Sequence, residues 1–205
     1  MKVCAFLVRM DGADRAGIIA SVAALKDDFE AACTASGVKN FSVWQMEQYL
    51  FGYGENHSEN MDCFDGVLGR LPEGAVLVCK PGSMRRMYHD IGVVREDKSL
   101  IEHRVFATKL KPGCEEEYKR RHDGLIEKRG DAVVDHLESN FTIWYGDGHI
   151  FGYCELVKAF DHEPTPEEHA STVAWETRQL EIMDWLTDDM NWLTGENHPP
   201  VERII

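Results

Sequence analysis

A chain of 205 residues that is 43% hydrophobic and 28% charged carries enough apolar material for one domain or two small ones. Its apolar runs are short and interrupted, which excludes a membrane-spanning helix, and a formal net charge of −14 argues against nucleic acid and anionic membranes as partners. Residues 1–100 hold 11 basic and 14 acidic side chains, whereas residues 101–205 hold 11 and 22, so the acidity is concentrated in the second half. A solvated acidic surface accounts for that excess without a cationic substrate. The cysteines at 4, 33, 63, 79, 114 and 154 include no Cys-x-x-Cys pair, and Met1-Lys2-Val3-Cys4 enters a strand pattern without a signal-peptide layout. Both features point to a reduced, cytoplasmic protein.

In chain order, Lys2 to Met10 predicts an apolar strand ended by Asp11-Gly12. Residues 15–35 predict a helix, with Ile18, Ile19, Val22, Leu25 and Phe29 near helical spacing and Gly37 as its stop. Asn40 to Met46 alternates as a half-buried strand, and Tyr49 to Gly54 returns as the second arm of a hairpin. Residues 56–75 read as loop, and Pro81 to Gly92 as a second helix. The second half repeats the order: a strand over 103–110, a helix over 114–138, a hairpin of Asn140–Tyr145 and His149–Glu155 across Gly146-Asp147-Gly148, a helix over 165–190 and a last strand from Pro200.

The repeat is legible residue by residue. Asn40-Phe41, Trp44, Phe51-Gly52-Tyr53 and Glu55 recur as Asn140-Phe141, Trp144, Phe151-Gly152-Tyr153 and Glu155, and Phe6 recurs as Phe106, all at an offset of 100. Identities in one fixed register indicate an internal duplication. Each half then has the order of a ferredoxin-like repeat, residues 1–100 and 101–205. A four-stranded sheet with helices on one face leaves the other face bare. Two fused repeats can cover each other, so the expected fold is α+β, an intrachain dimeric α/β barrel.

One stretch carries chemistry. Glu115-Glu116-Glu117 follows Pro112-Gly113 and opens a helix on which Tyr118 and His122, four apart, share a face. A phenol above an imidazole can form one wall of a polar pocket, and an unperturbed imidazole titrates near neutral pH. One of Arg120 and Arg121 is placed to pair with Glu116 or Glu117, leaving the other for a hydroxyl group. The remaining motifs are negative. His162-Glu163 and His169 do not make a zinc helix, Gly146-Asp147-Gly148 is a turn rather than a phosphate loop, and no dinucleotide, Walker or Gly-x-Ser-x-Gly signature occurs. His136 and His149 read as surface histidines. No metal and no cofactor is implied.

Val105-Phe106, the Glu-Tyr-x-Arg-Arg-His core at 117–122, Asn140-Phe141 with Trp144, Phe151 to Glu155, and Trp185 to Met190 resemble the L-rhamnose mutarotase family. The resemblance covers most of 101–205. It implies a small cofactor-independent isomerase that interconverts the α and β anomers of a 6-deoxyhexose, L-rhamnose or L-fucose, with His122 as proton donor and Tyr118 binding sugar. Two positions depart from the family pattern. Phe141 stands where a sugar-contacting tyrosine is usual, and Ile182-Met183 stands for a Trp-Trp pair on a late helix, with Trp185 two positions on. Phe141, Met183 and Trp185 are the further substrate-binding candidates, and Trp144 is a weaker one. Ile18 and Val22 occupy the positions matching Tyr118 and His122, so the first half is expected to be a structural partner. The implied partner is a monosaccharide, and self-association of the fused chain stays open. The competing readings are a non-catalytic sugar-binding protein and a dimeric α/β-barrel monooxygenase or haem-type protein.

Overall fold

In the computed structural model, residues 2–56, 62–93, 95–130, 138–158, 165–187 and 201–205 are described. The strands are β1 (Lys2–Met10), β2 (Lys39–Met46), β3 (Tyr49–Asn56), β4 (Ala75–Cys79), β5 (Arg85–Asp90), β6 (Ile101–Leu110), β7 (Glu138–Gly146), β8 (His149–Val157), β9 (Met183–Thr187) and β10 (Glu202–Arg203). The helices are α1 (Arg15–Ala23), α2 (Lys26–Ser36), α3 (Asp65–Leu68), α4 (Glu115–Arg129) and α5 (Pro166–Gln179). The chain divides into two units, Met1–Met84 with Val201–Ile205, and Arg85–Pro200. Each holds one antiparallel five-stranded sheet, ordered β10-β2-β3-β1-β4 in the first and β5-β7-β8-β6-β9 in the second. The class is therefore α+β. None of the helices is long and apolar enough to cross a membrane among the described residues.

All four expected helices differ from what forms. The one over 114–138 stops at Arg129, where Gly130 takes a φ of 61°, and Glu138 already belongs to β7. The one over 15–35 is two helices: Asp14 caps α1 through Gly17 N–H at 2.9 Å, and Leu25 N–H turns back to the Val22 carbonyl, three residues away, before α2 begins. That tightened turn keeps Ile18, Val22 and Phe29 all buried. Pro81 to Gly92 contains β5 rather than a helix. Gly82 takes a left-handed φ of 77°, and the strand that follows pairs with β7, burying Met87 and Tyr88. Pairing with β7 satisfies the backbone groups on one side of this edge strand, in a segment too short to hold a helix alone. The last helix ends at Gln179. Its start is fixed by a capping box between Thr165 and Glu168 with Pro166 in the first turn, and Met183 onward joins β6 as β9. Of the expected spans, 57–61, 131–137 with His136, 159–164 with His162 and Glu163, and 188–200 lie outside the described residues.

The two sheets share local geometry at the same offset of 100. Phe6 pairs with Gly52, and Phe106 with Gly152. Asn40 and Asn140 sit at φ 49° and 50° where the hairpin register shifts, and Glu47 and Asp147 at φ 50° and 51° in the turns. Asn40 donates to Glu55 at 2.7 Å and Asn140 to Glu155 at 3.2 Å, and in each unit the tyrosine two residues before that glutamate donates to it as well. A buried carboxylate fed by an amide and a phenol anchors each bulge from within its own sheet.

The face of the first sheet under its helices is closed by hydrocarbon. Phe6, Phe29, Phe41 and Phe64 stack within 4.8–6.4 Å of one another, with Ile18, Val22, Val8 and Val43 buried around them. Val22→Ala is expected to destabilise the protein by about 2 kcal/mol, the transfer of two methyl groups plus the gap left behind. The denaturant midpoint reads that loss, and activity per folded molecule is expected to stay constant.

Candidate active site

The corresponding face of the second unit is open. Gly113, at φ 79°, ends the approach from β6, and three glutamates in the first turn of α4 complement its exposed amides. Side chains lock this turn in place. Arg85 on β5 forks onto Glu116 at 2.5 and 2.8 Å, Tyr145 on β7 donates to Glu115 at 3.0 Å, and Glu117 accepts from both Arg120 and Arg121. Arg121 also reaches Glu181 at 2.9 Å and the Arg178 carbonyl. Both arginines of the motif are thus committed to one glutamate, and neither borders the cavity described next.

That cavity, of about 240 Å³, lies between α4, α5 and the sheet. From α4 come Tyr118, His122 and Leu125, at i, i+4 and i+7. From α5 come Thr172, Trp175, Glu176 and Gln179, at i, i+3, i+4 and i+7. Alternate residues of the sheet form the floor: Arg104, Phe106 and Thr108 on β6, Phe141 and Ile143 on β7, Met183 and Trp185 on β9, with Glu138 and Tyr88 completing it. Both helical stripes and all three strand alternations follow from the side-chain periods of 3.6 and 2. The volume falls below the roughly 300–1,000 Å³ of sites for drug-sized ligands and suits one small molecule.

His122 is 6% exposed and its ring stacks on Tyr118, centroids 4.2 Å apart at 26°. Tyr88 and Trp175 present edges to it at 5.5 and 5.2 Å. Its Nδ1–H donates to the Tyr118 carbonyl at 2.9 Å. A carbonyl only accepts, so this bond fixes the tautomer and leaves the lone pair of the neutral ring on Nε2. Burial lowers the imidazole pKa to about 4, outweighing the Tyr118 carbonyl and the Asp123 charge that act the other way. The free side chain would titrate near 6.5. In place it is a neutral base at pH 7, because an imidazolium here would lose its water without gaining an ion-pair partner.

The other titratable groups move upward. Burial and the neighbouring Glu176 carboxyl push the Tyr118 phenol well above its ordinary range. Burial raises Glu176 to about 7, with Arg104 pulling against it. Arg104 itself lies 3.5 Å from Glu138. Thr108 Oγ1, Glu176 Oε2 and both polar atoms of the Gln179 side chain are buried with no hydrogen-bond partner among the described residues. Four such atoms around one small cavity suit a ligand that carries several hydroxyl groups.

Tyr118, His122, Phe141, Met183 and Trp185 all stand on this wall, whereas Trp144 is buried elsewhere. Met183 and Trp185 reach it from a strand rather than a late helix. His149 is buried, not at the surface: the hairpin turn holds its Nδ1–H on the Asp147 carbonyl at 2.6 Å. Sequence reasoning missed Tyr88, Trp175, Glu176 and Gln179. The last three were findable, since Thr172, Trp175, Glu176 and Gln179 trace one helical stripe without a single aliphatic residue. Tyr88 was hidden by the expected helix over 81–92. It packs edge-on against Phe141 at 5.5 Å and brings a phenol to the wall where Phe141 has none.

This constellation decides which known proteins bear on the chain. Residues 103–203 match the family model for L-rhamnose mutarotase. The mutarotase match spans just under half of the chain and includes every residue of the cavity wall except Tyr88. It supports a sugar mutarotase, an isomerase acting on carbohydrates, with a monosaccharide as ligand. No curated protein and no solved structure matches the chain.

Proposed function

We propose that the second unit is a cofactor-independent mutarotase that interconverts the α and β anomers of a 6-deoxyhexose, L-rhamnose or L-fucose, in the cytoplasm. The observation that carries the proposal is His122: a buried imidazole with a fixed tautomer, on the wall of a small cavity inside the mutarotase match. Mutarotation opens a cyclic hemiacetal and recloses it on the other face. The anomeric hydroxyl must lose a proton while the ring oxygen gains one, and neither step changes an oxidation state. A neutral imidazole is suited to the first transfer, and general acid–base catalysis of this kind contributes on the order of 10²–10⁴-fold. Tyr118, Trp175, Trp185 and Met183 offer apolar surface for the C–H face and methyl group of the sugar. Thr108, Gln179 and Tyr88 offer partners for its hydroxyls.

The proposal includes a tandem duplication in which the first copy has lost the site. The shared strand order and the eight identities at one offset support it. So does the content of the first unit, where Ile18, Val22 and Val8 stand at the positions of Tyr118, His122 and Thr108. Phe141 favours one competing reading, a sugar-binding protein without catalysis. Saturation-transfer NMR of anomer exchange, with L-rhamnose and with L-fucose, separates the two. The expected result is faster exchange of at least one sugar at catalytic protein concentrations. Binding of either sugar with exchange left at the buffer rate would replace the mutarotase by the binding protein.

A further inference from the structure

A base alone completes only half of ring opening. The ring oxygen leaves C1 as an alkoxide unless a second group protonates it in the same step, and His122 holds its one proton on Nδ1, turned into the helix backbone. The other acid on the wall must therefore face the cavity from another element. Tyr118 is too weak an acid, its phenol being raised further by burial. Glu138 is engaged by the Arg104 guanidinium at 3.5 Å. Glu176 remains. It sits on the cavity stripe of α5 between Thr172 and Gln179, with Oε2 buried and unpartnered among the described residues.

We infer that Glu176 is the second proton-transfer group of this site, its carboxylic acid protonating the ring oxygen of a bound pyranose while His122 Nε2 accepts the proton of the anomeric hydroxyl. The inference rests on the mutarotase reading of the cavity and names a group that reading does not supply. As the C1–O5 bond breaks, its electron pair goes to O5, which takes the Glu176 proton. The O1–H pair forms the C1=O1 double bond, and the proton goes to Nε2. The open aldehyde rotates about C1–C2. Closure returns one proton from the imidazolium to O1 and the other from O5–H to the carboxylate, so both groups end as they began and no co-reactant is consumed.

The surroundings hold both groups in the forms this needs. Among the described residues, the charged and titratable side chains sharing the wall with Glu176 are Arg104 from β6, Glu138 from β7, Tyr88 from β5, and Tyr118 and His122 from α4. Arg104, the one cation among them, lowers Glu176, but desolvation outweighs it and leaves the carboxyl at about 7. His122, at about 4, is already neutral there. Between these values the acid is protonated and the base is not, which is the paired arrangement that opposite environments produce in one site. Rate is expected to fall as pH drops through about 4, where His122 gains its proton, and as pH rises through about 7, where Glu176 loses its own.

The test is anomer exchange from pH 5 to 9 on the full chain and on Glu176→Gln, Glu176→Asp and Glu167→Gln. Glu176→Gln keeps the shape and the hydrogen-bonding capacity but has no acid proton. Its kcat is expected to drop about 10²-fold at pH 6 with KM within about 3-fold, and its residual rate to show no decline above neutrality. Glu176→Asp, an acid one methylene shorter, is expected to keep that decline at a reduced rate, so the conclusion stands even if the glutamine variant folds poorly. Glu167 is exposed in the first turn of the same helix, and its glutamine variant is expected to match the unmodified chain. A Glu176→Gln protein with unchanged kcat and an unchanged decline removes Glu176 and leaves the mutarotase standing. An unmodified chain that accelerates neither sugar removes both.

Discussion

His122→Ala is expected to slow catalysed anomer exchange by about 10³-fold, within the usual range for loss of a general base, while the protein still folds and melts only about 4–8 °C below the unmodified chain. The first half of that expectation follows from where the ring's protons lie. Nδ1–H is committed to the Tyr118 carbonyl, so the only lone pair available to a substrate is on Nε2. Among the described residues no other neutral nitrogen base lines the cavity, and water in that position would be a far weaker proton acceptor. The second half follows from how the ring is packed. It leans on Tyr118, Tyr88 and Trp175, and the space it vacates opens onto a cavity that already exists. Truncation therefore enlarges a hollow that water can enter instead of creating a sealed void, and the stability loss stays near the low end of core truncations, about 2 kcal/mol. Calorimetry and saturation-transfer NMR on one preparation read both quantities. Full exchange activity in this variant would take His122 out of the mechanism and with it the functional proposal.

Much of this was legible in the chain because it depends on short periods. The Tyr118–His122 pair, the two hairpins that follow Asn40 and Asn140, and the Phe6 and Phe106 strands all follow from spacings of two or four residues. What was not legible depended on partners far away in sequence. Arg85 to Asp90 carries no strand alternation of its own and becomes a strand by pairing with β7, some fifty residues later. Met183 to Thr187 likewise leaves the helical pattern that precedes it because β6 offers an edge. The chemistry of His122 was similarly hidden. The sequence supplies an imidazole with its free-solution pKa. The drop to about 4 comes from burial among Tyr88, Tyr118 and Trp175, which only the fold brings together. Glu176 was hidden for the same reason, since a lone glutamate on a polar helix reads as solvated until the opposite wall is in view.

The glycines at 52 and 152 offer the sharpest contrast between the two units. Gly52 and Gly152 face the rings of Phe6 and Phe106, and a Cβ on either would come within 2.1 Å of ring carbons. The insult is the same, but the surroundings are not. Phe6 is enclosed by Phe29, Phe41 and Phe64 and has no space to retreat into, so Gly52→Ala is expected to destabilise the protein by about 3 kcal/mol or more, at the upper end of overpacking. Phe106 borders the 240 Å³ cavity and can swing into it. Gly152→Ala is therefore expected to cost only about 1–2 kcal/mol in stability. The displaced ring then occupies sugar space, and KM is expected to rise roughly 10-fold or more, the scale of one misplaced methylene in a binding pocket. Denaturant titration of both variants, followed by exchange kinetics on the folded fraction, separates the two effects. A Gly52→Ala protein that loses affinity per folded molecule, beside a Gly152→Ala protein that does not, would put the working site in the first unit. The opposite pattern is what a filled core in one unit and an open cavity in the other require.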